Sequence, residues 1–171
     1  MEENKIRFID SIFFKILEDD IPGVTTTSEG IANHFKAMSD FILNIPKTKI
    51  HTAYGPTKWT IAELIGHLID TQTVMFYRIL NIGRGEKISL PGFDENLWVA
   101  NGFYQTLSPD LLVEMYSASA NHIQIMLKTV KAEAWENIGT ANGIQISTRE
   151  VLIYLMAHEL HHKKIIVERY L

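Results

Sequence analysis

The most chemically loaded stretch of this 171-residue chain is His158-Glu159-Leu160-His161-His162, near its C-terminal end. Histidines at i and i+4 of a helix stand roughly 5–6 Å apart at Cβ, close enough to share one cation. At about 100° per residue, His158 and His162 fall in one sector with Val151, Leu155 and Ile165, a core-facing stripe, whereas His161 turns towards Lys164 and Glu168, on the wet side. The pair reads either as a chelate or as hydrogen-bonded core histidines, with a helix C-terminus also favouring cations. The same five residues match H-E-x-x-H, in which Glu159 would be the general base. The metzincin extension fails, because Ile165 stands where a glycine is required and Glu168 where a histidine is required. Any third ligand is therefore expected upstream.

His67 is the candidate. It shares a helical face with Leu64, Thr71 and Val74, all within about 60° of it. One imidazole from one helix and two from another is a way that bundles build metal sites. Three neutral imidazoles would leave a coordination position for water or substrate, since structural zinc is normally closed by four protein ligands. Such a cation could polarise a carbonyl or lower the pKa of a water or thiol. Asp70, three residues after His67, reads either as a base or ligand-orienting group or as a solvated carboxylate.

These side chains need helices to hold them, and the punctuation supplies helices. Phe8, Ile12, Phe13, Ile16 and Leu17 predict a short helix, ended by Ile21-Pro22-Gly23. Thr25 to Ser28 offer caps for a second, reaching about Ile45 before Pro46. Thr60 with Glu63 forms a capping box that opens a helix over Ile61–Ile82. Gly83, Gly85, Pro91 and Gly92 mark a loop through about Asn96. Ser108-Pro109 starts a helix running to about Lys131. Asn142-Gly143 predicts a turn or small hairpin. Ser147 with Glu150 is a second capping box, opening a last helix that runs to about Leu171. The expectation is a single all-α domain over 1–171, a four-helix bundle with a short extra N-terminal helix, its connections long enough to shape a site.

Composition narrows the partners. Lys plus Arg number 16 and Asp plus Glu 20, a net charge of −4, so no basic stripe for nucleic acid is expected. There is no cysteine, which excludes disulfides, thiolate zinc sites and cysteine nucleophiles. The start lacks a signal-peptide n-region, and the apolar stretch near it is interrupted by Asp10 and Lys15, so a cytoplasmic protein without membrane spans is expected.

With those residues in place, the chain resembles the DinB/YfiT-like family. Lys58-Trp59-Thr60-Ile61-Ala62-Glu63-Leu64-Ile65-Gly66-His67-Leu68-Ile69-Asp70 is similar to the family's first metal-ligand segment. Leu90-Pro91-Gly92-Phe93-Asp94-Glu95-Asn96 looks like a loop of one branch, and Gly139-Thr140-Ala141-Asn142-Gly143 with His158–His162 like that branch's last turn and helix. The resemblance spans about residues 50–171. It implies a four-helix bundle in which His67, His158 and His162 hold a divalent metal, nickel or zinc. It also implies a metal-dependent hydrolase or a transferase or isomerase using a low-molecular-weight thiol, acting on a small-molecule substrate. Many relatives are homodimers, so a homodimer is an expectation although no seam is visible. The Asp-Thr-Glu that often follows the first histidine is Asp70-Thr71-Gln72 here, so its third place offers an amide. Phe93, Asp94, Glu95, Trp98 and Tyr104 stand in loops that either line the mouth of the site or pack ordinarily. Trp59 reads as a helix-start anchor. His34, His51 and His122 have no partner that the sequence suggests. The reading from a different class is a non-catalytic metal- or ligand-binding bundle, such as a stress-response module.

Overall fold

In the computed structural model, residues 28–171 are described; the short helix expected over Phe8–Leu17 and the caps at Thr25–Thr27 lie outside them. The long helices are α1 (Ser28–Leu43), α2 (Ile61–Gly83), α4 (Pro109–Leu127) and α5 (Thr148–Arg169), with a short α3 (Glu95–Gly102) between α2 and α4. Strands β1 (Ser89–Leu90), β2 (Ile138–Ala141) and β3 (Ile144–Ser147) form a small sheet at one side. The long helices form a four-helix bundle in which α2 packs on both α4 and α5, and α1 lies against the same two.

Local chemistry sets the two helices that carry the histidines. At the start of α2, the Glu63 amide donates to Thr60 Oγ1 at 3.2 Å and the Thr60 amide to Glu63 Oε2 at 2.7 Å. At the start of α5, the Glu150 amide donates to Ser147 Oγ at 3.2 Å and the Ser147 amide to Glu150 Oε2 at 2.7 Å. Each reciprocal cap satisfies two amides that no helical carbonyl can reach, so each helix has a defined first residue. A defined first residue fixes the rotational phase of everything downstream, including His67 and His158. Ser108 caps α4 in the same way, accepting from the Leu111 amide, with Pro109 opening the helix.

The core is built from α1 residues Ile31, Phe35, Met38 and Ile42, α2 residues such as Ile65, Leu68 and Ile79, α4 residues Leu112, Tyr116 and Ile123, and α5 residues Val151, Leu155 and Ile166. These recur at the three- and four-residue spacing of a buried stripe. Among the described residues, no helix is long and apolar enough to cross a membrane.

Asn142 (φ 51°) and Gly143 (φ 76°) form the two-residue turn between β2 and β3, both in the left-handed region that such a hairpin needs. The pair Ala141 and Ile144 closes the ladder, and β1 adds in parallel, Leu90 opposite Ala141. The Asn142 amide donates to the Leu90 carbonyl at 2.9 Å, which ties the hairpin tip to the segment that leads into Phe93.

Four boundaries differ from the sequence reading, one being the end of α5 at Arg169 rather than Leu171. Helix α1 ends at Leu43 rather than Ile45, because the Asn44 amide falls back on both the Asp40 and Phe41 carbonyls. Helix α4 ends at Leu127 rather than Lys131, where Thr129 and Val130 bond three residues back in the tighter 3₁₀ pattern. The loop expected through Asn96 ends earlier, since α3 begins at Glu95 with Asp94 as its cap. Only Val99 of α3 is buried, so the helix has no apolar stripe by which its sequence could announce it.

Gly66 marks a tight approach. A Cβ there would overlap the Tyr104 ring, which lies against α2 and donates its hydroxyl to Asp70 Oδ1 at 2.7 Å. Gly66→Ala is expected to destabilise the protein by about 1–3 kcal/mol, the range of overpacked cores. Urea denaturation measures it, and an unchanged midpoint would contradict the packing described.

Candidate metal centre

The capping boxes phase α2 and α5 so that His67, His158 and His162 meet. His67 Nε2 and His162 Nε2 each lie 3.1 Å from His158 Nε2, and one ring nitrogen from each of the three falls within 4.8 Å of the others. His67 is 5% and His158 6% exposed. Burial drives all three towards the neutral form. It lowers His67 to about 4, against a small opposing pull from Glu95, and lowers His162 to about 3. His158 is pushed well down by burial, then by the other rings.

A neutral imidazole nitrogen carries either one N–H or one lone pair, never both. His158 Nε2 has two nitrogen neighbours at 3.1 Å and can satisfy only one of them by a hydrogen bond. Three lone pairs pointed at a common centre suit a cation. Metal–nitrogen bonds of about 2.0–2.1 Å set ligand nitrogens roughly 2.9–3.4 Å apart for angles between a right angle and the tetrahedral one. The two 3.1 Å separations fall in that range and the third nitrogen lies within 4.8 Å, so the residues present fit a divalent metal once the rings draw together on it.

The same depression of pKa makes the metal-free protein acid-sensitive. The folded rings bind a proton less readily than the unfolded ones, whose value is 6.5, so the unfolded chain holds more protons between that pH and the folded values. Stability contributed by His67 and His162 is complete above about pH 6.5 and is expected to fall as pH drops towards 4, by about 3 kcal/mol for each of these two at the limit. Thermal melts of metal-free protein from pH 8 to 4 check it; a flat profile would contradict the burial described.

The triad opens on a cavity of about 370 Å³ whose wall also includes Trp59, Thr71, Met75, Arg78, Phe93, Glu95, Tyr154 and His161. Trp59 stands with its ring centroid 5.0 Å from that of His67, and Tyr154 stacks on His158 at 6.0 Å. Trp59 thus anchors the start of α2 and walls the site at once. His161, expected on the wet face, is half-buried beside the other rings.

Of the loop residues singled out in the sequence, the structure brings Phe93 and Glu95 to the cavity. Asp94 and Trp98 are not in its wall. Asp94 accepts from the Leu97 amide at 3.0 Å as the cap of α3, and Trp98 lies against the outer side of Phe93, ring centroids 4.9 Å apart. Neither do Asp70 or Glu159 line it. Asp70 is held by Tyr104, and burial raises its pKa while that hydrogen bond opposes the rise. Glu159 has 0% exposure and faces away from the triad into the bundle. It takes His34 Nε2 at 2.6 Å, the Gln72 amide at 2.6 Å and the Tyr116 hydroxyl at 2.8 Å. His34 thereby has a partner that the sequence did not suggest, and Gln72, the third residue of Asp70-Thr71-Gln72, donates its amide to the same carboxylate. His51 and His122 are exposed, the latter against Phe76.

Arg78 and Tyr154 escaped the sequence reading, yet a signal existed. Arg78 is eleven residues after His67, about 20° from it on the helix, and Tyr154 is one turn before His158. A cation and a phenol on the histidine-bearing stripe of their helices are side chains that a simple core stripe does not call for.

Known structures share this arrangement of helices. YfiT from Bacillus subtilis, described as a probable metal-dependent hydrolase with an unusual four-helix bundle topology, superposes with a TM-score of 0.68 at 16% identity, covering 86% of this chain and 89% of that one. A mycothiol-dependent maleylpyruvate isomerase superposes with a TM-score of 0.63 at 17% identity over 91% of this chain, which spans 61% of the isomerase. Among curated proteins no sequence match is found. At such identities the likeness establishes the fold. The sequence pattern of the DinB superfamily matches residues 32–166, which contain all three converging histidines, and the chain is a member of that superfamily.

Proposed function

We propose that this protein is a metalloenzyme acting on a small molecule, with His67, His158 and His162 holding a divalent cation, nickel or zinc, and with water or a low-molecular-weight thiol as the nucleophile. The observation that carries the reading is the convergence of three neutral imidazoles, two buried and one half-buried, at the wall of a cavity. A divalent cation supplies Lewis acidity, lowering the pKa of a water or thiol and polarising a substrate carbonyl.

The chain's own residues do the rest. The two capped helices hold the rings rigidly from different elements, so little reorganisation is needed for them to act together. Trp59, Met75 and Phe93 give the cavity apolar walls that exclude bulk water and strengthen electrostatic interactions inside it. Proton handling falls to the titratable groups in that wall, Glu95, Tyr154 and His161, rather than to Asp70 or Glu159, whose carboxylates are engaged elsewhere. That the similar structures include one described as a hydrolase and one as a thiol-dependent isomerase supports keeping both nucleophiles.

Elemental analysis of protein purified without a polyhistidine tag, followed by assay against panels of esters and of electrophiles with added thiols, tests this. About one divalent metal per chain and turnover in one panel are expected. Tight metal binding with no turnover in either panel would favour the non-catalytic binding bundle, and no metal uptake would overturn the reading altogether.

A further inference from the structure

Arg78 is the one strongly basic side chain in the cavity wall, and its surroundings are unusual for a cation. It is 8% exposed. One terminal nitrogen donates to the Pro91 carbonyl at 2.9 Å and the other reaches Met75 Sδ at 3.5 Å, a weak acceptor. Its Nε–H is buried without a partner. Among the described residues no carboxylate forms an ion pair with it; the pairs found are His34–Glu159, Lys36–Asp40, Lys47–Asp110 and Arg149–Glu136. A guanidinium offers five N–H donors in a planar fork and does not give up its charge. A buried charge that is neither paired nor fully hydrogen-bonded is costly, and the structure keeps one beside the ligand stripe of α2.

The geometry points to a carboxylate-bearing ligand: Arg78 is the anchor for a carboxylate on the small molecule whose other end lies at the three histidines. This rests on the proposed function and adds the charge class of the molecule. The carboxylate complements the guanidinium fork, two parallel N–H···O bonds being the strong arrangement, while the neutral triad does not repel it. Tyr154, also in the wall, sits within the field of Arg78. Glu95 carries the opposing negative charge, but it is exposed and belongs to the first turn of α3. The wall is thus positive where it is buried and negative where it meets solvent. That gradient orders a ligand carboxylate inwards. The carboxylate could sit on the electrophile or on the thiol, and the experiment separates them.

The probes are straight-chain ω-mercaptocarboxylates and their carboxamides, titrated into Co(II)-loaded protein and read by thiolate–cobalt absorption. Thiol-free carboxylates and carboxamides of the same lengths are titrated by calorimetry into loaded and metal-free protein. At the chain length that fits, a carboxylate is expected to bind at least about tenfold more tightly than its amide, as a desolvated charge-assisted pair would give. Arg78→Gln is expected to abolish that ratio and Arg78→Lys to restore part of it. Because Arg78 also holds the Pro91 carbonyl, a merely structural loss would weaken both members of each pair alike and leave the ratio intact. A preference confined to the mercaptocarboxylates assigns the carboxylate to the thiol; a preference shared by the thiol-free acids assigns it to the electrophile. Equal binding of acid and amide by the wild-type protein, or a ratio retained in Arg78→Gln, would overturn the inference. Absence of cobalt uptake would instead sink the metal reading, and the metal-free calorimetry would still decide the role of Arg78.

Discussion

Alanine in place of His67, His158 or His162 is expected to lower affinity for the divalent metal by about 100-fold or more, beyond what loss of a supporting hydrogen bond typically costs. Each histidine would contribute one of three donors, and among the described residues no further imidazole or carboxylate joins the group within the same 4.8 Å. His161, the nearest in sequence, is not among the converging nitrogens, so it provides an internal control: His161→Ala should retain metal. The loss should not be a folding defect. Nδ1 of His67 and of His162 is buried without a partner, so removing either ring relieves the core of an unsatisfied polar atom. The metal-free His67→Ala protein should therefore melt within a few degrees of the metal-free parent, while the stabilisation that added metal gives the parent should vanish. Titration calorimetry with elemental analysis, alongside paired melts, checks both halves. Full metal content in His67→Ala and His162→Ala would refute the assignment.

Glu159→Ala should behave in the opposite way, with a large loss of stability and only a secondary loss of metal. Its carboxylate joins all four long helices: His34 reaches it from α1, Gln72 from α2 and Tyr116 from α4, while Glu159 itself belongs to α5. Truncation leaves two donors and an imidazole facing an empty space, and breaking a buried charged network of this type costs about 3–5 kcal/mol. Burial holds the Tyr116 hydroxyl protonated, and the neighbouring carboxylate adds to the effect, so Tyr116 remains a donor across the working pH range. Glu159→Gln keeps one acceptor oxygen and the volume, and should lose about 1–3 kcal/mol. Denaturant titration orders the variants. If Glu159→Gln were as stable as the parent, loaded with metal and inactive, the glutamate would be doing chemistry and the structural account of it would fail.

Read as a string, H-E-x-x-H does not say which face of the helix each of its residues takes. His158 and His162 are about 40° apart on the helix and share one face, whereas Glu159 is turned by about 100°. What that other face meets depends on which helices surround α5. Here it meets side chains of α1, α2 and α4, so the glutamate is enclosed by donors rather than brought to the cavity.

Much of the fold was legible because its signals are local. Both capping boxes, the Ser-Pro start of α4 and the Asn-Gly turn act over two to four residues, and the structure places each where the sequence indicated. Helix α3 was missed because it packs through Val99 alone, leaving Leu97 and Trp98 outside, so no periodic stripe marks it. The ends of α1 and α4 shifted by a few residues, since a helix frays where no cap or glycine imposes a stop.

The sequence by itself singled out the three histidines that converge in the structure: the i,i+4 pair, the core-facing His67 and two capped helices follow from spacing that any α-helix imposes. Only the tertiary structure decided what surrounds them. It turned Glu159 into a bundle clamp with His34, brought Arg78 and Tyr154 to the cavity wall and left Asp94 and Trp98 outside it. Helical periodicity says which side chains share a face, because backbone geometry repeats identically along every helix. It is silent on which other face comes to lie opposite, because that is settled by packing between segments far apart in the chain.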